Sequence, residues 1–442
     1  MMSTEIKNSY SLAPFVLITL IYFIVGFFTT INGQFQAPLQ IAFLSEVELL
    51  KNTLTTLIPF FFFLGYLLNS QLGGKWINKF GYKPTLMRAL LFMILGLIFY
   101  LIASFFATNF ANIGLHFGVD YVPLGYFIFL LGSFFIGTSA AILQVVINPY
   151  VNAYDLPNTQ PVQRMNIVCA INSLGTTIAP FFVTGVIFAG VAMNSIQSSQ
   201  LIIPLEIMIA SIVLVTILTY KLKLPDIKGT FSNKKQTRSI WSFSHLKWGV
   251  IAIFFYVGAE VAIGVNINLH AIELIQNGHP LHFFGNDNLI ISGIELGIPA
   301  LLATIYWGGF MVGRALSSFI RNISARIQLC TVTIIAIILT TIAIFTENLW
   351  ILVSVGLCHS IMWGAIFSLA IDGLKEYTSK ASGVFMMGVF GGAIFPLIQG
   401  LVADSLGSWQ WTWGLIIICE LVILYYALVK SKIIDKEIID LK

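Results

Sequence analysis

VPLGYFIFLLGSFFIGTSAAILQVVINPY, residues Val122–Tyr150, contains no Asp, Glu, Lys or Arg. A helix crosses the hydrocarbon of a bilayer with about 20 mostly apolar residues, whereas a barrel strand needs only about 10 alternating ones. This run is long and continuous, so it reads as a helix, whose backbone groups pair within the segment where no water reaches. Yet its second half, continued as AAILQVVINPYVNAY (Ala140–Tyr154), carries Gln144, Asn148 and Pro149. Gln144 and Asn148 are four apart and share a helix face. Pro149 removes a backbone donor and bends or ends the helix. A polar seam turned toward other helices, not lipid, accounts for the pattern.

The rest of the chain extends this reading. Of 442 residues, 57% are hydrophobic and 10% charged, with a mean hydropathy of +0.90. A soluble chain carries about a quarter charged residues. Apolar runs place twelve spans at 13–43, 52–72, 84–108, 122–150, 162–190, 201–222, 247–270, 297–320, 327–346, 349–372, 381–403 and 409–430. The first and fourth exceed the minimum, which predicts tilt, a kink or a misplaced end. No small-residue cleavage site follows the first run, so it reads as a retained span. Cys169, Cys330, Cys358 and Cys419 fall inside apolar runs without CxxC spacing and read as packing residues.

Lys and Arg set the orientation. With the N-terminus in the cytoplasm, Lys75, Lys79, Lys83, Lys221, Lys223, Lys228, Lys234, Lys235, Arg238, Arg321, Arg326, Lys375 and Lys380 lie inside, and only Lys51 clearly lies outside. Both termini are then cytoplasmic, in a multi-pass protein of the cell (inner or plasma) membrane. The net charge of +4 is a topology signal and calls for no nucleic-acid partner. The basic connection 223–246 divides the spans six and six: an N-terminal half at 1–222, a cytoplasmic linker, and a C-terminal half at 247–442 with a short tail. Such halves hold a central site between them in secondary transporters. GGKWINKFGYKP (Gly73–Pro84) after span two and GRALSSFIRNIS (Gly313–Ser324) after span eight form a weak internal echo.

NPYVNAY, followed by RMNIVCAINSLGTTIAP (Arg164–Pro180), resembles the fucose and glucose/galactose permease family of the major facilitator superfamily. So do FFYVGAEVAIG (Phe254–Gly264), IYWGGFMVGR (Ile305–Arg314), SIMWGAIFSLAIDGL (Ser360–Leu374) and ASGVFMMGVFGGAIFPLIQGLVADSLG (Ala381–Gly407). The matches cover essentially the whole chain. The resemblance implies an all-α membrane protein of twelve helices in two pseudo-symmetric halves, with alternating access and a sugar carried with a cation, usually a proton. Gln144 falls where the fucose branch has a carboxylate and the glucose/galactose branch a glutamine. The family's first-span Asn-Asp corresponds to INGQFQAP (Ile31–Pro38), with Gly33 or Gln34 opposite the acid. Its span-five glutamine corresponds to Cys169, while Asn172 remains. His359 and Trp363 also replace commoner family residues.

An ionised carboxylate is expensive in hydrocarbon, which singles out Glu206, Glu260 and Glu420. Glu260 lies mid-span among Gly258, Ala259, Ala262 and Gly264, residues that permit close approach of a helix or ligand. It is the candidate proton-coupling residue; the alternative is a structural carboxylate between helices. Glu206 and Glu420 read as headgroup-level or interhelical acids. Asp372 matches an acidic position of the family and, with Arg314 nearby at the inner face, is expected to hold a cytoplasmic gate. Gln144, Asn148 and Asn172 offer uncharged donors and acceptors suited to a polyhydroxylated ligand. Asn32 and Gln34 form a second polar patch in span one, and Asn266 follows Glu260. Asn148 is equally suited to satisfying backbone freed by Pro149. Trp307 and Trp363 are the aromatic candidates for an apolar sugar face.

The leading expectation is import of a neutral hydroxylated solute, most readily a hexose, coupled to a proton gradient and carried out by a monomer with no cofactor. Sodium coupling and uncoupled facilitation fit the same residues. A non-transporting sensor is the alternative of another class, but little chain follows the last span to form an output domain. No HExxH, Walker GKS/GKT or GxSxG motif and no histidine cluster suggests an enzyme.

Overall fold

The computed structural model describes residues 12–432 apart from 158, 160, 190, 192–194, 226–238, 292–293, 318–322 and 375–376. Most of the basic linker, with Lys228, Lys234, Lys235 and Arg238, therefore lies outside the described residues, as do Arg321 and Lys375.

Among the described residues, eleven helices are long and apolar enough to cross a membrane. The helical elements are α1 (Leu12–Gln34), α2 (Gln36–Phe43), α3 (Lys51–Phe80), α4 (Tyr82–Asn109), α5 (Leu124–Ala153), α6 (Pro161–Phe182) and α7 (Ile202–Lys221). After the linker come α8 (Ser244–Gln276), α9 (Ile298–Ser317), α10 (Ala325–Thr346), α11 (Leu349–Ile371), α12 (Thr378–Phe385), α13 (Gly391–Leu406) and α14 (Gly414–Tyr425). Helix α9 occupies the expected eighth span; Tyr306, Trp307 and Arg314 make it less apolar than the eleven.

The two over-long spans have separate explanations. The first is interrupted at Phe35, giving α1 and α2, because Pro38 cannot donate to the Gln34 carbonyl. The fourth begins at Leu124; Val122 and Pro123 belong to a hairpin, β1 (Gly114–Phe117) with β2 (Asp120–Pro123), in which Leu115 pairs with Val122. A second hairpin, β3 (Asn288–Ile291) with β4 (Ile294–Gly297), precedes α9. Asp120 accepts from the Glu48 and Leu49 N–H groups at 2.8 and 3.3 Å, tying the first hairpin to the α2–α3 loop. At the other end of α3, Gly81 (φ 83°) makes the turn into α4 in a conformation that favours glycine.

Packing repeats from one half to the other. Helix α1 packs on α6, α3 on α5, α4 on α5 and on α7; correspondingly, α8 packs on α13, α9 on α11, α10 on α11 and on α14. Between the sets, α3 meets α13 and α6 meets α9, while α1 approaches α8. The outer surface is apolar, with Phe345 74% and Ile203 68% exposed, while Asn266 and His359 are fully buried. Lipid makes no demand for polar surface, so polar residues collect where helices meet. Threonines elsewhere close on their own helix, as Thr29 Oγ1 does on the Val25 carbonyl at 2.7 Å.

Candidate functional site

Tyr256, Glu260, Gly264 and Asn268 follow one another at four-residue steps along α8, so they descend one slowly winding stripe. Toward the C-terminal end of α8, Asn268 Nδ2 donates to Gln34 Oε1 at 2.6 Å, and Gln34 Nε2 donates to the Gly264 carbonyl at 3.0 Å. These bonds join α1 to α8. Gln34 and Asn268 line a cavity of about 790 Å³ that also touches Lys51, Thr184, Asp287 and Glu295. Beneath it, Gly264 admits the Trp307 indole; a Cβ there would lie 2.3 Å from Trp307 Cζ2. The buried indole N–H has no acceptor among the described residues.

Further along the stripe, half-buried Glu260 lies beside two tyrosines. Tyr306 donates to the Glu260 backbone carbonyl at 3.0 Å, and the Tyr256 hydroxyl, near the Glu260 carboxylate, donates to the His359 carbonyl at 2.9 Å. Arg314 interacts electrostatically with Glu260 and Tyr256, and also with Tyr22 and Cys169 from the other half. Its guanidinium donates to the Ser360 carbonyl (3.2 Å) and across to Ser173 Oγ on α6 (2.6 Å). On the N-terminal side, Gln144 Nε2 donates to Tyr66 Oη at 3.2 Å, and Asn148 lies beside the Tyr22 side chain with its Oδ1 unpartnered among the described residues. Arg314 is thus electrostatically close to Glu260 and Tyr256 in its own half and to Tyr22 across the seam, and Tyr66, the partner of Gln144, is close to Tyr22.

Other expected residues sit elsewhere. Asn32 is buried within the N-terminal half, donating to Tyr100 Oη (2.5 Å) and Ser133 Oγ (3.0 Å). Asn172 Nδ2 donates to the Tyr22 backbone carbonyl at 2.7 Å, fixing α6 to α1 beside Gly26. Asn266 leaves the α8 stripe and meets Gln399 Oε1 at 2.9 Å on α13. In each case a helix–helix hydrogen bond occupies the amide donor expected to meet a ligand. Trp363 stacks on Phe367 at 5.2 Å. Asp372 is exposed at the end of α11, and its inner-face basic neighbours Arg321 and Lys375 lie outside the described residues. Glu206 is exposed, in a shallow groove with Leu101 and Phe105.

The sequence shows Asn266 and Asn268 after Glu260 without a reason to set either on its face, although Asn268 lies two four-residue steps away. Tyr306 and the partnership of His359 with Glu420 were missed and carry no such signal: a tyrosine in an aromatic-rich span is unremarkable, and a contact between α11 and α14 leaves no spacing to read.

Comparison with known proteins agrees with this architecture. The family model described as Major Facilitator Superfamily matches residues 11–394. A glucose/galactose transporter of Brucella abortus is 31% identical over 438 residues, covering 97% of this chain and 96% of that protein. The crystal structure of a variant of the Escherichia coli fucose:proton symporter, FucP, superposes with a TM-score of 0.64 at 23% identity, covering 95% of this chain and 99% of that one. A D-xylose-proton symporter structure gives a TM-score of 0.68 at 15% identity, covering 96% and 99%. With its two sets of packed helices and a polar region between them, the chain belongs to the Major Facilitator Superfamily, in the fucose and glucose/galactose permease family.

Proposed function

We propose that this chain imports a neutral hexose together with a proton by alternating access. The observation that carries the reading is one acid, Glu260, electrostatically close to one cation, Arg314, which bonds Ser173 across the halves; in this reading the uncharged amides Gln144 and Asn148 of the other half meet the solute. The amides suit hydroxyl groups without the desolvation cost of a charge. Trp307, with its unpartnered N–H, and Trp363 offer aromatic surface to the apolar face of a sugar ring. Glu260 carries the proton, and Arg314 interacts with it when the proton leaves. Relatives named glucose/galactose transporter and L-fucose-proton symporter support both the substrate class and the coupling. The halves 1–222 and 247–442 rock about this region, with both termini in the cytoplasm of the cell that houses the membrane, and the monomer suffices. Uncoupled facilitation is the second reading, favoured by Arg314, which can neutralise Glu260 without a proton.

Reconstituted vesicles test this. Labelled glucose, galactose and fucose should enter saturably, and an inward proton gradient should concentrate at least one of them. Absence of saturable uptake for all three rejects the hexose. Uptake that never exceeds equilibration rejects symport and supports facilitation. Glu260→Gln should lose accumulation and keep exchange; unchanged accumulation removes Glu260 from the proton path.

A further inference from the structure

Away from the sugar-facing amides, a second pair of ionisable groups is enclosed in the C-terminal half. His359 Nε2 on α11 lies 2.7 Å from Glu420 Oε1 on α14, and both side chains are completely buried. Glu420 Oε2 has no hydrogen-bond partner among the described residues. A charged carboxylate enclosed among helices is expensive, and an added proton lowers that cost. The imidazole's other nitrogen, Nδ1, lies 2.7 Å from Tyr306 Oη, the same hydroxyl that is 3.0 Å from the Glu260 carbonyl oxygen.

Counting hydrogens ties these contacts together. Tyr306 has one hydroxyl proton, and the Glu260 carbonyl can only accept. When Tyr306 donates to that carbonyl, Nδ1 must carry a hydrogen and donate to Tyr306. Facing Nε2, the remaining proton sits either on the ring, giving imidazolium against carboxylate, or on Glu420, giving neutral imidazole against carboxylic acid. Both forms hold one proton more than neutral histidine with ionised glutamate, and both have no net charge. Remove that proton and Nε2–H must face the carboxylate. Nδ1 then becomes an acceptor, Tyr306 turns its hydrogen to it, and the bond to the Glu260 carbonyl is lost. The alternative neutral tautomer sets a bare Nε2 lone pair against a carboxylate and is repulsive.

We propose that His359 and Glu420 form a proton-binding site, and that Tyr306 converts its occupancy into a hydrogen bond joining α9 to α8 at Glu260. Its part in transport rests on the symport reading above; proton binding itself rests on the geometry. The charged and titratable groups around the pair are Tyr256 and Glu260 from α8, Tyr306 and Arg314 from α9, Cys358 from α11 and Cys419 from α14. Helix α10 brings only Arg326 and Cys330, and Arg326 donates to carbonyls of Ala427 and Leu428. Lys380 on α12 is exposed. Protonation loads a buried site that would otherwise be anionic, and joins the two helices; release frees α8 from α9 beside the transport site.

Infrared difference spectra of the purified, reconstituted full chain, recorded between acid and alkaline pH, read this directly. The parent should show a carboxyl or imidazole protonation change that disappears in Glu420→Gln and persists in Glu260→Gln. Tyr306→Phe should keep the change and shift its midpoint. His359→Gln provides a second route to the same loss should Glu420→Gln fail to fold. A protonation change that survives in these pair variants overturns the proposal, even where the parent concentrates sugar. Loss of the signal in the pair variants, with a parent that never concentrates sugar, leaves the proton site standing and rejects the symport reading instead. In vesicles where the parent accumulates sugar, Glu420→Gln should lose accumulation while retaining exchange; full accumulation removes the pair from coupling.

Discussion

Gln144 and Asn32 are both amides of the N-terminal half, and their partners assign them different roles. Gln144 is half-buried and bonded through one amide hydrogen to Tyr66, leaving the rest of its amide for a ligand. Asn32 gives its amide to Tyr100 and Ser133 inside the half. Gln144→Ala should therefore raise the sugar KM about tenfold, the effect of roughly 1.4 kcal/mol of lost hydrogen bonding. Asn32→Ala should leave KM near that of the parent and reduce stability by about 1 kcal/mol through the loosened Tyr100–Ser133 cluster. Uptake kinetics and thermal unfolding separate the two; a KM effect from Asn32→Ala would return that residue to the transport path. Hydropathy shows that an amide in a span needs a partner. It does not show whether that partner is a helix or a solute, because the two demands are chemically the same. For the same reason Asn172 and Asn266 read alike with Gln144 in sequence, although their donors meet the Tyr22 carbonyl and Gln399.

At the scale of elements, the spans were legible because hydrocarbon thickness imposes a length, and Lys and Arg impose a side. The two hairpins were not: each strand has four residues, too few for a period of two to emerge from the loop around it. Nor was the capping of α3. Its first turn contains no acid, yet Asp404 at the end of α13 accepts from Asn52 N (3.0 Å), Thr53 N (2.7 Å) and Thr53 Oγ1 (2.5 Å). A carboxylate satisfying unpaired N–H groups at the positive end of a helix is favourable. Because it comes from the other half, it also holds the outer ends together. Asp404→Asn keeps the shape and removes the charge. A loss of about 1 kcal/mol should raise the outward-open population about fivefold. A cysteine at Ile272, in the outer cavity, should then react correspondingly faster with a membrane-impermeant thiol reagent; an unchanged rate would show that Asp404 does not restrain opening.

For the whole molecule, the contacts between halves fall into three zones. Asp404 with α3, and Gln34 with Gly264 and Asn268, lie toward the end that carries the hairpins; Arg314 with Ser173 lies further in; and Gln71 Nε2 approaches Met387 Sδ at 3.9 Å toward the opposite end, cytoplasmic in the proposed orientation. Each half is packed within itself by the same scheme, and the surfaces between halves combine these polar contacts with apolar packing such as Phe60 against Phe390. Alternating access requires the outer and inner zones to part in turn, with the middle serving as the hinge region. Two cysteine pairs examine this in a chain whose four native cysteines, all free, have been replaced. Thr53→Cys with Asp404→Cys, bridged by a short cleavable thiol linker, should close the outer route. Gln71→Cys with Met387→Cys should close the inner one. Either bridge alone should abolish both net uptake and exchange, and cleaving the linker should restore them. Full exchange with the outer bridge intact would mean that solute passes without separation of α3 from α13, and the two halves would have to move about some other seam.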